Sequence, residues 1–154
     1  MVEKIREEFM YMDAVNYISD VLQKTKGKEL KVAFLGGSLS KGERVKRELC
    51  FVSFEQKIEE KLSNGRKVSV LRYGQSGTMS SNGLYKVKEL IEEKPDLVFL
   101  DYAMNDTGDR YLWESTEGIC SQLIQAGAHV VILLFCNDQA FLPAANRASA
   151  AALS

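Results

Sequence analysis

The stretch Lys31-Val32-Ala33-Phe34-Leu35-Gly36-Gly37-Ser38-Leu39-Ser40-Lys41-Gly42 limits how this chain can fold more than any other part of it. A short apolar run, of the kind that forms a buried strand, stops at two glycines and a serine. In open α/β sheets ligands sit beyond the carboxyl ends of the strands, so the run delivers Ser38 to that edge. Gly36 and Gly37 carry no Cβ, which lets the backbone turn sharply and lets other groups come close. Ser38 is therefore a candidate nucleophile; a polar turn residue, or a hydroxyl lining a phosphate, is the alternative. The segment is not a P-loop, because its lysine precedes the closing glycine, and it is not a G-x-G-x-x-G fingerprint.

Hydrophobic spacing predicts the remaining elements. Apolar residues from Ile5 to Leu22 predict a helix over 3–24, and further helices are predicted over 45–62, 84–93 and 112–125. Strands are predicted over 31–35, from Val68 to Leu71 (running out at Tyr73-Gly74), over 97–101 and over 129–135. The small-residue stretch 74–83 is predicted as a loop, and Ser63-Asn64-Gly65 as a helix end. Strands alternating with helices imply a parallel sheet with helices on both faces, joined by right-handed crossovers. The expected architecture is α/β, a flavodoxin-like three-layer α/β/α domain over residues 1–136. Residues 137–154 are alanine-rich and lack the pattern of a further βα unit.

Charge and cysteine usage exclude several classes. The formal net charge of −1 gives no electrostatic case for nucleic acid. No apolar stretch reaches the roughly 20 residues that span a bilayer. The charged start, Met1 to Glu8, lacks a signal-peptide core, so the expected address is cytoplasmic, or secreted if a signal sequence has been removed. Cys50, Cys120 and Cys136 are too scattered for a zinc or disulfide framework and read as small buried hydrophobes. No metal-ligand spacing is present, and no cofactor is expected.

Three predicted strand ends bring small or polar residues to one edge: Ser38, then Ser76-Gly77-Thr78, then Asn105-Asp106. Acyl transfer through a serine needs donors aimed at the oxyanion, and the N–H of Ser38, the N–H of Gly77 and the Asn105 carboxamide can supply them. Gly37, Leu39, Ser76 and Asp106 are expected to line the substrate beside them. Asp101 and Asp106 also read as structural acceptors. Tyr73, Tyr102 and Tyr111 fit either a sugar-stacking wall or packing at element ends.

Gly-Gly-Ser-Leu-Ser, Gln-Ser-Gly and Pro-Asp-Leu-Val-Phe-Leu-Asp-Tyr-Ala-Met-Asn-Asp, in that order, resemble the motifs of the SGNH (GDSL-type) hydrolases over residues 31–136. The resemblance implies a serine esterase with Ser38 as nucleophile and Gly77 and Asn105 in the oxyanion hole. The Gly-Gly-Ser variant is similar to bacterial esterases that act on acetylated carbohydrates, so a small ester or an acetylated carbohydrate is the implied partner.

The same resemblance implies a late Asp-x-x-His segment beyond a fifth strand, and the sequence has none. Its one histidine, His129, opens the fourth strand at the amino edge. Asp138 has no histidine to orient. The expectation is a chain lacking the fifth strand, the last helix and the general base, with impaired turnover. Two alternatives stand beside it: a non-catalytic module binding an ester, sugar or anion, and a flavodoxin-like phosphate binder. A fourth strand left at the sheet edge and apolar on both faces predicts a homo-oligomer.

Overall fold

The computed structural model of the protein describes residues 18–42, 51–63, 65–106 and 110–133, with 51–55 described by their backbone only. Helix α1 is seen over 18–24 and is followed by β1 (Leu30–Gly36), α2 (Ser38–Lys41) and α3 (Phe51–Ser63). Then come β2 (Val68–Gly74), α4 (Ser80–Glu92), β3 (Leu97–Asp101), α5 (Leu112–Gln125) and β4 (His129–Ile132). The strands form one parallel sheet in the order β2-β1-β3-β4, which is the expected flavodoxin-like order over these four strands.

β1 is central, and its alternating side chains feed two cores. Ala33 and Leu35 pack with Val87 and Leu90 of α4 and with Ile119 and Leu123 of α5. Leu30, Val32 and Phe34 pack on the opposite face with Val21 of α1 and Ile58 of α3. This period of two is what makes three layers, because a strand buried on both faces needs a helix layer on each side. Phe34 and Phe99, side by side on β1 and β3, stack with ring centroids 5.1 Å apart and an interplanar angle of 11°. The register is what matters for function: Gly36 is level with Gly74 of β2 and with Asp101 of β3. Three strands thus end together at one edge.

Two stretches expected as loop are helical. Residues 38–41 form a single turn, closed where the Gly42 N–H donates to the Ser38 and Leu39 carbonyls with Gly42 left-handed at φ 76°. α4 starts at Ser80, not at Leu84, because polar partners cap its first turn. Asp106 Oδ1 accepts the Ser80 N–H at 2.8 Å, and Asn82 Oδ1 accepts the Met79 N–H at 3.1 Å. Ser-Ser-Asn reads as loop by composition, and the Asp106 carboxylate that turns it into a helix start lies 26 residues away. Residues 3–17 of the helix predicted over 3–24, the start of the helix predicted from 45, the strand residues 134–135 and the alanine-rich stretch 137–154 lie outside the described residues. No described helix is long and apolar enough to cross a membrane.

Candidate active site

The carboxyl end of β1 is held from both sides. The Gly37 N–H donates to the Asp101 carbonyl at 2.9 Å, and the Gln75 N–H donates to the Gly36 carbonyl at 3.0 Å. Ser38, half-buried, is the first residue of α2, with Gly37 as its N-cap. Gly37 is buried, and Leu39 is half-buried on the same turn.

Asn105 follows β3, with its main-chain N–H on the Tyr102 carbonyl at 2.8 Å. Its side-chain Nδ2 donates to the Thr78 carbonyl at 2.7 Å. A carbonyl can only accept, so this partner fixes which end of the carboxamide is nitrogen. A carboxamide nitrogen carries two hydrogens, and the Thr78 bond uses one of them. The nitrogen itself lies against Gly37: a Cβ there would overlap Asn105 Nδ2, with Asn105 Cγ at 3.4 Å and the Thr78 carbonyl oxygen at 3.7 Å. Glycine at 37 is therefore what admits the carboxamide beside the residue that precedes Ser38.

Thr78 ties the second loop to the third. Its carbonyl holds Asn105, its hydroxyl donates to the Gln75 carbonyl at 2.6 Å, and it bonds the phenol of Tyr102. Burial pushes that phenol up to about 12, so Tyr102 stays neutral. Gly77, one residue before Thr78, is exposed with φ 69° and open space on its Cβ side. That positive φ is one glycine adopts without strain. Ser76 is half-buried, and its Oγ is shielded from solvent with no hydrogen-bond partner among the described residues.

Three of the expected site residues, Ser38, Gly77 and Asn105, are therefore gathered by Gly37 and Thr78 at one edge of the sheet. Asp106 sits beneath that edge: it is buried, with its carboxylate on the Ser80 N–H. Sequence patterning brought Thr78 to the edge with Ser76 and Gly77 but gave it no role, since nothing in a run of small residues shows that its carbonyl holds Asn105. Asp101 carried a signal, since a carboxylate ending an apolar strand is unusual. Its Oδ2 accepts the Ser40 hydroxyl at 3.1 Å, and burial holds its carboxyl above the ordinary aspartate range. Tyr102 packs inward over Gly83, and Tyr111 is exposed beneath the Arg110 guanidinium, 4.9 Å from the ring centroid.

His129 is at the other end of the sheet. It pairs in register with Leu97, the first residue of β3, and lies 3.5 Å from the Lys24 ammonium. Strand length separates it from Ser38. Asp138 lies outside the described residues. Among the described residues no group of histidine, cysteine and acidic side chains could hold a metal ion.

Known structures share this fold. AlinE4, an SGNH-hydrolase family esterase, matches with a TM-score of 0.61 at 15% identity, over 80% of this chain and 74% of that one. The chain has the SGNH-hydrolase fold. A two-domain esterase active on acetylated mannans, CEX, shares that fold with a TM-score of 0.71 at 23% identity. That match covers 87% of this chain and 38% of CEX, so the chain spans well under half of that protein. A variant of Axe2, an acetyl xylan esterase from Geobacillus stearothermophilus, matches with a TM-score of 0.65 at 15% identity, over 80% of this chain and 72% of that one. No protein-family model and no curated protein sequence matches the chain. On the SGNH fold the described sheet has its four strands, and the loops after β1, β2 and β3 form the edge that carries Ser38, Gly77 and Asn105.

Proposed function

We propose that the chain is a serine ester hydrolase of the SGNH family, with Ser38 as nucleophile. The observation that carries this reading is the Asn105 carboxamide, seated against Gly37 and oriented by the Thr78 carbonyl. Attack of Ser38 Oγ on an ester carbonyl moves the π electrons onto the carbonyl oxygen. Asn105 Nδ2 and the N–H groups of Ser38 and Gly77 receive that charge. Collapse breaks the ester C–O bond and leaves an acyl-serine. The departing alkoxide takes up, through solvent water, the proton that Ser38 gave up, and a second water cleaves the acyl-serine to acid and free Ser38. Each donor of this kind is worth about 2.7–4 kcal/mol in the transition state. Preorganisation supports the assignment, since Asn105 is held by its own hydrogen bond before any substrate arrives.

The serine proton has no acceptor in His129, which stands at the opposite edge. Turnover by the 154-residue chain is accordingly low: removing one triad member leaves roughly 10³–10⁴-fold over water from the remaining groups. The substrate class we assign is an acetylated carbohydrate. The support is that CEX and Axe2 on the same fold are described as acting on acetylated mannans and as an acetyl xylan esterase. β4 bonds to β3 alone among the described strands, and self-association through its other edge belongs to the same reading.

Incubation with a fluorophosphonate probe, followed by peptide mapping, tests the nucleophile. The expected result, over an incubation long enough for a serine without a histidine base, is slow modification of a peptide containing Ser38, absent in Ser38→Ala. Labelling that is absent, or indifferent to that substitution, refutes the assignment. The position of His129 favours one second reading, a module that binds an acetylated sugar without cleaving it. Saturable binding of acetylated oligosaccharide by a chain that fails to label would select it.

A further inference from the structure

We propose that Asp101 is a positioning residue for Ser38, acting through Ser40 to hold the single helical turn on which Ser38 stands. The inference rests on the serine-hydrolase reading and adds to it a residue that does not touch the reacting atoms. α2 is four residues long, far below the length at which a helix holds itself in water. Its direction, and with it the direction of Ser38, has to come from anchors elsewhere.

Asp101 supplies two such anchors, one at each end of the turn. Its main-chain carbonyl accepts the Gly37 N–H at 2.9 Å, immediately before Ser38. Its carboxylate Oδ2 accepts the Ser40 hydroxyl at 3.1 Å, two residues after Ser38, and the Ser40 main-chain N–H also donates to that carboxylate. Ser40 is 2% exposed and Asp101 3%, so neither bond is exchanged freely with water. The register that sets Gly36 level with Asp101 places the anchor directly beneath the turn.

The energetics give the carboxylate a reason to be there. Burying an acid that an apolar residue could replace is unfavourable, and an apolar residue of similar volume is often neutral or stabilising at such a site. Desolvation raises the carboxyl above its ordinary value, and the two Ser40 bonds only partly oppose it. A group held at such a disadvantage, one strand over from a nucleophile, is explained by what it holds in place.

The test uses the full chain with Asp101→Leu, Asp101→Asn, Ser40→Ala and the Asp101→Leu/Ser40→Ala double variant. Two quantities are read. The first is amide hydrogen exchange at Lys41 and Gly42, whose N–H groups donate to the Gly37 and Ser38 carbonyls at 3.2 and 3.0 Å. The second is the saturation kinetics of fluorophosphonate labelling at Ser38. Asp101→Leu and Ser40→Ala should each speed exchange at these amides by about tenfold, with β1 and β3 amides unchanged. Each should lower the maximal labelling rate by about tenfold without moving half-saturation, as a misplaced nucleophile does.

Asp101→Asn keeps an acceptor oxygen of the same reach and should recover most of both losses. The double variant should be no worse than the worse single, since both act on one contact. Unchanged exchange in both single variants, or additive losses in the double, overturns the proposal. If Asp101→Leu does not fold, Ser40→Ala alone carries the same two readouts. Exchange that answers to these variants in a wild type unlabelled at Ser38 refutes the hydrolase reading and leaves Asp101 the anchor of the turn.

Discussion

Replacing Gly37 with alanine adds one methyl group at the point where two loops meet, and the structure sets what that methyl does. The new Cβ overlaps Asn105 Nδ2 and stands 3.4 Å from Asn105 Cγ and 3.7 Å from the Thr78 carbonyl oxygen. Either α2 lifts off the β1 end or the Asn105 carboxamide swings away. The first route strains the Gly37–Asp101 bond of 2.9 Å, and the second gives up the 2.7 Å bond to Thr78. Overpacking costs about 1–3 kcal/mol and a lost hydrogen bond about 1 kcal/mol, so the fold should lose about 2–4 kcal/mol. With Asn105 in the proposed oxyanion role, the rate should fall further, because moving one such donor is worth about 10²–10³. Urea titration gives the stability from the shift in midpoint at constant slope, and fluorophosphonate labelling of Ser38 gives the rate. The decisive comparison is Gly37→Ala in an Asn105→Ala background, where the crowding nitrogen is gone. There the added methyl should be nearly neutral in stability, a non-additivity of more than 1 kcal/mol between residues in direct contact. Full additivity, or wild-type labelling by Gly37→Ala alone, would show that Asn105 is not held against the serine turn.

Gly83→Ala sets two effects against each other on α4. Alanine gains about 1 kcal/mol of helix propensity over glycine, but its Cβ would stand 2.6 Å from Tyr102 Cε2 and 3.0 Å from Ile119 Cδ1. Tyr102 is pinned by its bond to Thr78, so overpacking of about 1–3 kcal/mol wins and the thermal midpoint falls; a rise would show the packing of α4 on Tyr102 and α5 to be loose. The Asp101 carboxyl is raised above its ordinary 3.8 by burial first, with the Ser40 bonds opposing, so the folded state holds this proton more tightly than the unfolded state does. Its contribution to stability is therefore full below 3.8 and is lost as pH rises through the folded value. Urea midpoints of wild type minus Asp101→Asn should fall over that acid window and then level, whereas parallel profiles would mean the carboxyl titrates normally.

Much of the layer order was legible from periodicity. Val32, Phe34 and Leu30 against Ala33 and Leu35 already divide β1 between two helix layers, and the parallel order follows once strands and helices alternate. The alternation is a local property, written in neighbouring residues, and a two-residue period has one physical meaning in a buried strand. The same holds for Ser38: an apolar run that ends in Gly-Gly-Ser puts a hydroxyl at the sheet edge wherever such a strand is central. His129 at the opposite edge was equally legible, since a strand's first residue cannot reach its neighbour's end.

What periodicity could not carry is pairing between residues far apart in the chain. Asn105 finds Thr78 across 27 residues, Ser80 finds Asp106 across 26, and Ser40 finds Asp101 across 61. Each pair exists because the β1–β3 and β1–β2 registers bring two loops to one height, and register is a sum over the whole sheet. For that reason Ser-Ser-Asn read as a loop until a distant carboxylate capped it, and Asp101 read as a plain acceptor until the turn above it came into view. Local chemistry chose the strands and the place of Ser38; the closing of the sheet decided which polar groups face one another there, because hydrogen bonds a few ångströms long depend on coordinates that no short window of residues contains.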